Sequence, residues 1–115
     1  MAFGNWDEIV QTYKDTYLDS KYSYHAKAMI ELIPSIRSLP EFDGIMPGTS
    51  HGALFFSVDD KAEIVSVLYS EDGIYTIYLE HPSEGEINKL TATSEDVVSV
   101  LETSIRQLKS LDDNA

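Results

Sequence analysis

The run Ile64-Val65-Ser66-Val67-Leu68-Tyr69-Ser70-Glu71-Asp72-Gly73-Ile74-Tyr75-Thr76-Ile77-Tyr78-Leu79 decides the fold. Val65, Val67 and Tyr69 alternate with Ile64, Ser66 and Leu68, and Ile74, Thr76 and Tyr78 alternate with Tyr75, Ile77 and Leu79. That period of two sends successive side chains to opposite faces of a strand. Asp72-Gly73 between the two halves tolerates positive φ at both positions and favours a tight hairpin. The same period recurs upstream, where Leu54, Phe56 and Val58 alternate with Phe55 and Ser57 before Asp59-Asp60-Lys61 interrupts. Downstream, His81-Pro82-Ser83-Glu84-Gly85 punctuates, and a weaker strand is expected from Glu86 to about Thr91. Four strands joined by short turns form an antiparallel meander, because short turns cannot make the crossovers of a parallel sheet.

On both sides of the sheet the period becomes helical. Trp6, Ile9, Val10, Tyr13 and Tyr17 form one stripe, and Asn5 followed by Glu8 reads as an N-cap with a capping-box acid, so a helix is expected from Trp6 to about Leu18. Tyr22, Ala26, Met29, Ile30 and Ile33 form a second stripe. Pro34 disfavours helical geometry at Ile33, so this helix is expected to end, kink or restart there; Pro34 to Leu39 would form a short further turn, and Pro40 would close the helical region. Thr93-Ser94-Glu95-Asp96 supplies capping hydroxyls and first-turn carboxylates for a last helix, whose stripe is Val97, Val98, Leu101, Ile105 and Leu108. Between helices and sheet, residues 41–52 hold three glycines and one proline and read as a loop. The expected architecture over residues 1–115 is one α+β domain: helices about 6–39, a loop 40–52, a four-stranded meander about 53–92, and a C-terminal helix about 94–111 packed on the sheet.

Size and composition agree with that reading. A chain of 115 residues fits one domain, with a folded surface of about 6,300 Å² against roughly 18,700 Å² when extended, enough burial for a core without disulfides. Cysteine is absent, which excludes disulfides, thiolate catalysis and cysteine-ligated metals. No apolar stretch approaches the roughly 18 residues of a membrane span, and the first residues lack the pattern of a secretory signal, so a cytoplasmic address is expected. Twenty acids against eight bases leave a net charge of -12, which argues against direct binding to nucleic acid or an anionic membrane. Most of that excess follows Val58: residues 1–58 carry -3 and residues 59–115 carry -9.

The strands are apolar on both faces. With Val65, Val67 and Tyr69 toward the helices, the other face carries Phe55, Ile64, Leu68, Ile74 and Tyr78, the candidate interface residues. Either an N-terminal helix covers that face in a third layer, or a partner or second copy does, or the apolar groups are simply scattered in water. The other candidate lies in Gly48-Thr49-Ser50-His51-Gly52, where Thr49, Ser50 and His51 offer hydroxyls and an imidazole on a glycine-flanked backbone suited to an anion or carbonyl oxygen. This run has neither the lysine of a phosphate loop nor a serine centred as in a nucleophile elbow. His25, His51 and His81 lack metal-site spacing; His25 reads as a surface or packing residue and His81 as a turn residue. The tyrosines of the first helices read as core residues with hydroxyls at the edge. Acid pairs such as Asp59/Asp60, Glu71/Asp72 and Glu84/Glu86 sit at turns, as backbone geometry favours.

No catalytic constellation, metal set or cofactor motif is carried by these residues. The function expected is that of a small acidic, non-enzymatic binding or regulatory protein acting through protein contacts, with a basic protein or a second copy of the chain as partner. The alternative is a small-molecule-binding domain or enzyme with its site at the loop from Gly44 to Gly52.

Overall fold

Among the described residues, six strands in sequence order, each antiparallel to the next, make up the sheet: β1 Ala2–Phe3, β2 Ile45–Ser50, β3 Ala53–Val58, β4 Ile64–Tyr69, β5 Tyr75–His81 and β6 Gly85–Ala92. The computed structural model describes residues 5–50, 52–58 and 62–111 and the backbone of 2–3. Its surface is 6454 Å², close to the value expected from chain length. The meander has five full strands rather than four, with Ala2–Phe3 as a two-residue addition at one edge.

The fifth full strand is β2, in the stretch whose glycines and proline read as a loop. Gly44 and Gly52, both at positive φ (79° and 88°), flank the strand and turn the chain at its two ends. Pro47 is tolerated because β2 lies near the sheet edge, where β1 pairs only with Gly48 and Thr49. Ile45 and Thr49 are buried, and six cross-strand partners on β3 outweigh the poor local propensity.

Helix α1, Trp6–Thr12, begins as expected: the Asn5 side chain accepts from the Glu8 N–H at 2.8 Å and donates to the Glu8 carboxylate at 2.8 Å. The stripe continues into a π-helical turn, Tyr13–Tyr17. Helix α2, Ser23–Ile36, runs through Pro34 instead of breaking at Ile33. The proline removes the hydrogen bond to Ile30, but Ile33 and Ile36 are fully buried, and their packing keeps the last turn helical. Pro40 opens a single 3₁₀ turn, Pro40–Phe42, rather than only closing the helical region. Helix α3, Val97–Ser110, starts about three residues later than expected. The Thr93 hydroxyl meets the Asp96 carboxylate at 3.4 Å, and residues 94–96 form a turn that precedes the helix.

Ile9 and Tyr13, Met29 and Ile33 of α2, and Leu101 and Ile105 of α3 share one apolar cluster with Leu54, Phe56, Val65, Val67, Ile77 and Leu79. Trp6, Phe42 and Phe56 add an aromatic corner with ring centroids 5.3–6.1 Å apart. Directly opposed residues share a face, and the register Gly48–Phe55–Ser66–Tyr78–Lys89 fixes the opposite, outward face. None of the apolar residues on that face belongs to the core cluster. The described helices thus form one layer and the sheet a second, with no third layer of described residues over the outward face. No described helix is long and apolar enough to cross a membrane.

Candidate functional site

Gly52 is the point where the first helices meet the sheet. Its carbonyl accepts the Tyr13 hydroxyl at 2.8 Å and the His25 Nε2–H at 2.7 Å. His25 Nδ1 accepts the Tyr69 N–H at 3.1 Å, and that bond fixes the proton on Nε2. One imidazole therefore joins α2 to the β2–β3 turn and to the end of β4. Tyr13 and Tyr17, four residues apart and so on one side of the helical segment, both approach this turn; their rings lie 5.7 Å apart, and Tyr17 packs against Gly52. Burial pushes the Tyr13 hydroxyl well above the usual phenol range, with the neighbouring Tyr17 adding to the effect, and burial pulls the His25 imidazole below its ordinary 6.5. With both ring nitrogens engaged and the residue 6% exposed, His25 positions the turn and offers no free nitrogen for acid or base chemistry. Among the sequence readings of this residue, packing is the one the structure matches.

Beside this knot is a cleft of about 420 Å³, with Tyr22, Tyr24 and His25 on the helix side and Gly52, Leu68, Tyr69, Ser70 and Thr76 among the sheet residues. Among the described residues of the Gly44 to Gly52 segment, Gly52 alone lines it. Thr49 is 5% exposed and lies opposite Leu54 on the core side of the sheet; Ser50 is half-buried at the end of β2, paired with Ala53. His51 lies outside the described residues, as does the pair Asp59/Asp60.

The outward face gathers four of the five interface candidates. Phe55, Ile64, Leu68 and Tyr78 share it by register, while Ile74 sits in the turn before β5, its carbonyl accepting from the Ser70 N–H and hydroxyl. Phe55 is only 2% exposed, whereas Leu68 is 43% and Met46, on the same face, 40% exposed. Of the acids on this face, Glu86 reads in the sequence as a turn residue with Glu84 but lies in β6, and its pairing with Glu80 escaped sequence reasoning. A register shift at Leu79/Glu80 places Glu80 directly opposite Glu86, and neither has an ion pair among the described residues. The engaged cations Arg37, Arg106 and Lys109 are on the helices, with Asp7, Glu41 and the Asp43 carbonyl as partners. On the outward face Lys89 lies 5.8 Å over the Tyr78 ring. The His81 ring, as expected of a turn residue, accepts the N–H groups of Ser83 and Glu84.

No grouping of three or more metal-ligating side chains occurs among the described residues. No family model, curated protein or solved structure matches the chain.

Proposed function

We propose that this is a cytoplasmic protein-binding module whose outward sheet face docks a basic protein. The observation that carries the reading is the Glu80–Glu86 pair on a face with no described helix over it, which also holds Ile64, Leu68, Tyr78 and Met46. Like charges set directly across a strand pair destabilise the sheet. A cationic side chain from outside relieves that repulsion, while the apolar residues beside it supply area that gains from burial. The net charge of -12 steers such a partner and gives strong salt dependence. A second copy is a poorer occupant, since it brings the same -12 and the same acids to the contact.

The test uses nona-lysine as the cationic probe and the double variant Glu80→Gln/Glu86→Gln. Binding that weakens about tenfold or more in the double variant, and by less in a control that neutralises Glu95 and Glu102 on the helix side, supports the reading. Equal weakening in both variants, or no binding to the parent chain, overturns it.

A further inference from the structure

We infer that the cleft beside Gly52 is the anchor pocket of this docking face and receives an arginine side chain of the basic partner; the inference rests on the proposed function above. Leu68 and Thr76, cross-strand neighbours on the outward face, also line the cleft. A partner lying on the face therefore passes over the cleft mouth. At about 420 Å³ it falls within the range of roughly 300–1,000 Å³ typical of binding pockets.

The lining selects the occupant. Three tyrosines, Tyr22, Tyr24 and Tyr69, contribute to it, and no lysine or arginine does among the described residues. Aromatic faces attract cations, and the chain already uses that property twice: the Lys21 ammonium lies 5.2 Å from the Tyr22 ring centroid, and Lys89 lies over Tyr78. Guanidinium suits such walls better than ammonium, because it is planar, weakly hydrated and able to stack while its edge donates hydrogen bonds. Ser70 and Thr76 supply oxygen acceptors for that edge, and the next two residues of the chain, Glu71 and Asp72, are exposed carboxylates. Arginine anchors seated in a pocket at an interface are the kind of contact that dominates binding energy.

Titration with nona-arginine and nona-lysine at one ionic strength separates this inference from the reading beneath it. Nona-arginine is expected to bind about fivefold tighter, as one cation–π contact provides. Tyr22→Leu, at a residue 46% exposed, should weaken nona-arginine more than nona-lysine and so remove that advantage, and an unchanged urea-unfolding midpoint shows the variant to be folded. Equal affinity for both peptides, lost in Glu80→Gln/Glu86→Gln, overturns the arginine pocket and leaves the docking face standing. Failure of both peptides to bind overturns the two together.

Discussion

His25 carries a pH dependence whose sign follows from its contacts. The neutral ring uses both nitrogens, and a proton added at Nδ1 would displace the Tyr69 N–H. With the folded value held below 6.5 by burial, the unfolded chain binds the proton more readily. The contribution of His25 to stability is thus complete above about 6.5 and is lost as the pH falls toward and through the lower folded value. Urea unfolding of the parent chain and His25→Gln from pH 7 to about 5 should show the parent losing stability relative to the variant on acidification. A constant difference between the two would contradict the buried neutral imidazole. Gly52 makes a second, independent demand. At φ +88° an added Cβ is strained, and Gly52→Ala should cost roughly 1–2 kcal/mol in denaturant unfolding. Gly44→Ala, at φ +79° with open space around it, should cost about as much; a far larger loss at Gly52 would mean that contact with Tyr17 decides the matter.

Among the elements, β5 and β6 show binding ability set against stability. Glu86→Lys places opposite charges across the strand pair and is expected to raise stability by about 0.2–1 kcal/mol while weakening the binding of basic peptides. Thermal unfolding and titration of the same variant check both halves of that statement; a variant that is more stable and binds equally well would remove the pair from the binding surface. The strands β3, β4 and β5 were legible because their inward positions, Val65, Val67, Ile77 and Leu79 among them, are dense in β-branched and aliphatic residues. Strand β2 was not, since Pro47 and Gly48 conceal its period and its energy comes from pairing with β3. The opposition of Glu80 and Glu86 was hidden for a different reason: the register shift near Leu79 breaks the simple count across the hairpin. The contact of His25 with Gly52 joins residues 27 apart, and no local pattern encodes it. The π turn at Tyr13–Tyr17 likewise follows from tertiary contacts, as its tyrosines meet a turn almost forty residues away.

In the whole molecule the described helices share one side of the sheet, and the fold divides its charge accordingly. The ion-paired cations among the described residues sit on the helical side, and the outward face keeps an acid couple with no ion pair among the described residues beside exposed aliphatics. If repulsion between copies governs self-association, sedimentation equilibrium at micromolar concentration should return the monomer mass of 12.9 kDa, and a dimer that persists at low salt would contradict the charge argument. The location of binding is decided by backbone amide shifts of the labelled chain during titration with nona-arginine. The largest shifts should fall on Ile64, Ser66, Leu68, Thr76, Tyr78 and Glu80, with a second group at Tyr22, Tyr24 and Gly52. Shifts confined to the acidic residues of the helical side, at Glu95, Asp96 and Glu102, would show that the outward sheet face is not the docking surface.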